Sequence, residues 1–197
     1  MGLLDSILGR SKPVRPDLDQ LFVLPSAALT LQAGAGFTPT GLGSVCFAGV
    51  EGGGFARIRQ DVEELLDADT AQGGSPVRFS RDAYGYTWLL AQQPPDDTAA
   101  LVNDLHAVNS LLEEGGFGPQ LLCSLLAFED AEQRPLALVY LYKRGTFFPF
   151  APVPDAAEKR NSSLELQVKA VLGDDLRIEP DLARWFPVWG APGLRSG

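Results

Sequence analysis

The chain has 197 residues, with 45% apolar and 21% charged side chains; a chain of this size can bury roughly 70% of its unfolded surface, and the balance excludes wholesale disorder and a coiled coil. A formal charge of −9 argues against a nucleic-acid partner, because phosphate backbones require a Lys/Arg surface to displace their counterions. Cys46 and Cys123 are too few for a disulfide framework or for the ligand set of a structural zinc, so they read as buried thiols.

The first sixteen residues form a separate element. Leu3, Leu4, Ile7 and Leu8 fall on one face of a short helix. Arg10, Lys12 and Arg15 follow in a linker stiffened by Pro13 and Pro16. Apolar area beside cations is what a weak interfacial anchor on an anionic leaflet requires. These seven residues are therefore candidates for partner or membrane contact, and docking of the stub on its own domain is the plainer alternative. No apolar run approaches the ~18 residues of a membrane span, and the expected location is cytoplasmic, with peripheral contact at the inner membrane through the stub.

The domain itself is expected over residues 17–197. Leu18, Leu21 and Phe22 suggest a short helix that Pro25 stops, and Ala28 to Ala33 and Gly43 to Val50 read as strands. Phe55, Ile58, Val62, Leu65 and Leu66 recur at helical spacing. Val77 and Phe79, a turn at Asp82 to Gly85, and Tyr86, Trp88 and Leu90 alternate as a hairpin. Pro94 to Asp97 opens a helix with the stripe Leu101, Leu105, Val108 and Leu112. Leu121 to Phe128 and Leu136 to Tyr142 form a second, buried hairpin, Thr146 to Phe150 adds a strand, and Asp155 to Leu172 reads as the last helix. The expected order is ββα three times over. Hairpins cannot join parallel strands, so the fold class is α+β, a mainly antiparallel sheet with about three helices packed on it.

No catalytic or metal centre emerges, and no cofactor is expected. The single histidine, His106, sits mid-helix with no nucleophile in a recognisable motif. The glycines at 41 and 43 fit neither the nucleophile elbow nor the dinucleotide fingerprint. Adjacent acid pairs such as Glu63-Glu64 and Asp174-Asp175 diverge and read as solvated charges. Tyr84, Tyr86 and Trp88 read first as core aromatics and second as a partner groove. Trp185, Phe186 and Trp189 form a tail that lies across the sheet or a helix or, if it projects, anchors an interface.

Gly2-Leu3-Leu4-Asp5 through Arg10, Arg15-Pro16, Leu21-Phe22, Leu24 to Ala28, Thr30 to Ala33, Pro39 to Phe47 and Trp185-Phe186-Pro187 together resemble the PspA-associated protein B family of actinobacteria, over nearly the whole chain. The resemblance implies an accessory protein of the phage-shock envelope-stress system, linked to the membrane-remodelling coiled-coil protein PspA and to an HtpX-type membrane protease. It brings no catalytic residues. The expectation is a non-enzymatic adaptor that binds a protein partner near the inner membrane through its stub, a sheet face or the aromatic tail. The alternatives are a chaperone-like module for an amphipathic or secreted segment, which a groove beside Tyr86 and Trp88 would support, and an enzyme whose pocket would need to contain His106.

Overall fold

The computed structural model describes residues 16–49, 53–67 and 77–195. A 3-10 turn over Leu18–Val23 leads directly into α1, Leu24–Ala35. Here the strand expected over Ala28 to Ala33 is corrected to helix, and Pro25 starts that helix instead of stopping one. Pro25 occupies the first turn, where a missing N–H costs nothing. Leu24, Ala27, Ala28 and Leu31 then bury one face at helical spacing, and Gly36 closes the helix in the left-handed conformation (φ 74°). The β1 strand, Thr38–Ala48, follows, then α2, Gly53–Asp67, where a helix is expected.

The hairpin of β2, Arg78–Arg81, and β3, Tyr86–Gln92, precedes α3, Thr98–Leu112. Asp97 caps α3 by accepting a hydrogen bond from the N–H of Ala100 at 2.9 Å. Next come β4, Leu121–Glu129, β5, Pro135–Leu141, and β6, Thr146–Phe150. The last helix, α4, is Ser162–Leu172, shorter than expected because Asp155 and Glu158 take positive φ and Asn161 supplies the cap. The order is therefore not ββα three times. A helix replaces the first strand, and three strands separate α3 from α4. The class stands: four α-helices and one six-stranded antiparallel sheet among the described residues, in the order β2-β3-β1-β4-β5-β6.

Alternation along the strands divides the sheet into two faces. Val45, Phe47, Leu89, Leu126, Phe128, Leu138 and Tyr140 turn toward the helices and form the larger core with Leu101, Leu105, Val108 and Val168. Cys46, Trp88, Cys123, Val139, Leu141, Phe148 and Phe150 turn the other way, where the C-terminal tail covers them with Trp185, Val188, Ala191 and Leu194. Phe147, Phe148 and Phe150 are completely buried. Each aromatic side chain removes roughly 150–250 Å² from water, about 4–6 kcal/mol by area as an upper bound, so β6 holds both layers. The start of the described chain is tied to β5 by Tyr140, whose hydroxyl donates to the carbonyl of Asp17 at 2.8 Å.

Candidate functional site

Directly opposed residues Trp88, Cys46, Cys123 and Leu141 run in one row across β3, β1, β4 and β5. On the face away from the helices this row floors a groove of about 650 Å³, within the size range of ligand pockets. A β-bulge shapes it. Cys46 pairs with Cys123 but the next residue, Phe47, pairs with Leu121, so Leu122 is the extra residue. The bulge lets consecutive residues Leu122 and Cys123 both face the groove.

The β2–β3 turn makes one wall, and Asp82 organises it. Its Oδ1 accepts from the backbone N–H groups of Tyr84 and Tyr86, both at 2.9 Å, and its Oδ2 accepts from Trp88 Nε1 at 2.8 Å. The floor indole is thus fixed by the turn beside it. Tyr84 then donates its hydroxyl to Glu158, 2.8 Å away on the segment between β6 and α4. That hydrogen bond to Glu158 pushes the Tyr84 phenol up, and it joins segments that follow opposite edge strands of the sheet.

The tail makes the other wall with Phe186, Pro187, Val188 and Trp189. It is anchored by Trp185, which stacks on Phe148 at 6.0 Å and donates its indole N–H to the carbonyl of Glu179 at 3.0 Å. Phe186 meets Phe148 edge-on at 5.6 Å, and Trp189 meets Phe150 edge-on at 4.8 Å. Further along, the carbonyl of Pro192 accepts a hydrogen bond from the Ser44 hydroxyl. Gly193, at φ 85°, lies so close to Leu42 and Leu90 that a Cβ there would touch both.

Buried charge holds the base of this wall. The carboxylate of Glu179, wholly inaccessible, accepts from Arg144 Nε at 2.7 Å, from the Thr146 hydroxyl at 2.8 Å and from the N–H of Asp181 at 3.2 Å. Burial pushes this carboxyl up, but the hydrogen bonds from Arg144, Thr146 and Asp181 and the Arg144 charge outweigh it and leave it below the usual range. A depressed carboxyl stabilises the fold above the unfolded value, about 4.3, and that contribution is lost as pH falls through the folded value. Glu179→Gln should accordingly lower the melting temperature at pH 7 and flatten its acid dependence below about pH 4.3. Thermal denaturation of both proteins between neutral and acid pH checks this; parallel curves would remove Glu179 from the acid limb.

Of the residues singled out from sequence, Tyr86, Trp88, Phe186 and Trp189 meet in the groove. Trp185 is buried behind it. Leu3, Leu4, Ile7, Leu8, Arg10, Lys12 and Arg15 lie outside the described residues. His106 is on the helix side, 4.6 Å from the Phe22 ring and 3.6 Å from an Asp19 carboxylate oxygen, and does not line the groove. Sequence reasoning missed the rest of the floor, Cys46, Cys123 and Leu141, and the charged rim. Asp82, Lys143, Arg144 and Glu158 give the rim charges of both signs. Asp82, Glu158 and Arg144 are each engaged by the protein, whereas Lys143 makes no ion pair among the described residues. Among those residues no three His, Cys, Asp or Glu side chains converge as a metal site, and no helix is long and apolar enough to cross a membrane.

The family described as PspA associated protein B matches the chain over residues 1–193. No curated protein and no solved structure matches it.

Proposed function

Because the chain belongs to the PspA associated protein B family, we propose that it is a non-enzymatic adaptor of the phage-shock envelope-stress response whose groove receives the apolar stripe of a PspA helix. The observation that carries this reading is the groove itself. Its floor is apolar and preformed, its walls are aromatic, and its rim carries Lys143 and Asp82. An amphipathic helix laid in such a groove buries its apolar face and leaves its polar flanks against the rim, and the helices of a coiled-coil partner carry that kind of stripe. The aromatic lining supports it further, since Tyr and Trp in desolvated pockets dominate binding energies.

The groove beside Tyr86 and Trp88 also favours a second reading, a chaperone-like module that shields an amphipathic or secreted segment. An HtpX-type membrane protease is the alternative partner. In either case the protein works in the cytoplasm beside the inner membrane, and the stub, with Leu3, Leu4, Ile7 and Leu8 backed by Arg10, Lys12 and Arg15, supplies weak contact with anionic lipid.

Titration of the full-length protein with purified PspA, and separately with vesicles containing anionic lipid, tests the division of labour. The double variant Leu4→Asp/Ile7→Asp is expected to lose vesicle binding and to keep its affinity for PspA and its melting temperature. Absence of PspA binding by the wild type, or its loss in the stub variant alone, would overturn the groove assignment.

A further inference from the structure

In that reading the two cysteines serve only as apolar floor, yet their placement is specific. Cys46 on β1 and Cys123 on β4 are directly opposed partners of an antiparallel pair, and both side chains project from the same face into the groove floor. Opposed residues in antiparallel strands have Cα atoms about 4.5 or 5.5 Å apart. Either separation lies within the roughly 4.4–6.8 Å that a disulfide spans. Both belong to the same buried cluster on that face of the sheet. Their neighbours in the row, Trp88 and Leu141, offer no competing partner for the thiols. Both thiols are reduced in this structure.

We propose that Cys46 and Cys123 form a reversible oxidation site, converted by small hydroperoxides entering the groove into a cross-strand disulfide. In the first step a cysteine sulfur attacks the terminal peroxide oxygen, the O–O bond breaks, the thiol becomes a sulfenic acid and the peroxide leaves as an alcohol or water. In the second, the opposed thiol attacks that sulfenic sulfur, an S–S bond forms and water departs with the thiol proton. The pair loses two electrons and two hydrogens in all, and a dithiol reductant restores it. The neighbouring Cys46 thiol, then burial, push the Cys123 thiol up, so the first step is slow at neutral pH and quickens in alkali. The second is intramolecular and faster, because the resolving thiol stands on the directly opposed residue. The oxidant reaches this floor through the open groove, so the site is tested on the protein alone, whatever partner the groove takes.

The test exposes the full-length protein to hydrogen peroxide at several pH values. Free thiols are counted after denaturation, intact mass is measured, and peptides are mapped without reduction. The expected result is concerted loss of both thiols, a mass lower by two hydrogens, and a peptide joining the segments that contain Cys46 and Cys123, all reversed by dithiothreitol. Cys46→Ser and Cys123→Ser should each leave one thiol that accumulates as a dimedone-reactive sulfenic acid with no internal cross-link. The proposal is overturned if the folded protein keeps both thiols under peroxide that oxidises the urea-unfolded chain. It is equally overturned if the two sulfurs gain oxygen independently without joining.

Discussion

Replacing Arg160 with methionine is expected to destabilise the protein by about 3–5 kcal/mol, the range for leaving one partner of a buried ion pair without the other. Arg160 Nε lies 2.9 Å from both carboxylate oxygens of Glu165, a residue whose side chain is only 3% exposed. The same guanidinium donates from Nη1 to the carbonyl of Trp185 at 2.7 Å and sits 5.2 Å from the centre of the Phe150 ring. One side chain thus ties α4, β6 and the tail together. For a chain of this length the loss corresponds to a melting temperature lower by roughly 6–20 °C. Burial already pushes the Glu165 carboxyl up against the pull of Arg160. A group raised above its unfolded value costs stability as pH climbs through the folded value, so the deficit of the variant should be largest near neutral pH and shrink below about pH 4.3. Adding Glu165→Leu should recover most of the loss. Thermal denaturation of the two single variants and the double variant checks this. A deficit under 1 kcal/mol, or one that persists undiminished in the double variant, would show that the pair does not hold the tail.

The second large effect is on binding. Leu122→Glu is expected to weaken the proposed complex with PspA by about 2 kcal/mol or more, roughly 30-fold, while the melting temperature changes little. Leu122 is half-buried and stands on a bulge, where its backbone is already out of register with β1, so a longer polar side chain there can turn to solvent in the free protein. In the complex the same carboxylate would be trapped against an apolar stripe, and an unpaired charge in such a place is costly. Trp189→Ala would be a poorer probe, because its ring also packs on Phe150 and its removal loosens the tail. Calorimetric titration with purified PspA reads the effect. Unchanged affinity for Leu122→Glu at an unchanged melting temperature would place the contact elsewhere on the chain.

The hairpins were legible because alternation and turn chemistry coincide there: Asp82 to Gly85 and Glu129 to Arg134 punctuate runs whose inward residues are nearly all apolar. The first helix was not, since Ala28 to Ala33 contains a β-branched threonine amid apolar residues, and Pro25 permits two opposite readings. What decides between them is tertiary: Leu21, Leu24, Ala28 and Leu31 pack into the helix-side core, which local preference does not see. The groove was half legible. Tyr86, Trp88, Phe186 and Trp189 stand out as aromatics, but the floor row joins four strands whose register depends on long-range pairing. The bulge that turns Leu122 toward it leaves no mark in composition. The tail likewise reads as apolar, while its path across the sheet is set by Glu179, Arg160 and Ser44, residues that carry no motif.

Site-directed photocrosslinking tests the groove assignment most directly. A benzophenone amino acid is placed at Tyr86 in the groove wall and, as a control, at Leu29, which is 70% exposed on α1 beyond the opposite face of the sheet. Each full-length protein is irradiated with purified PspA, and the joined peptides are sequenced. The predicted result is a cross-link from position 86, and not from position 29, to residues spaced along one apolar stripe of a PspA helix. Equal cross-linking from both positions, or cross-linking from position 29 alone, would contradict the assignment of the groove as the partner site.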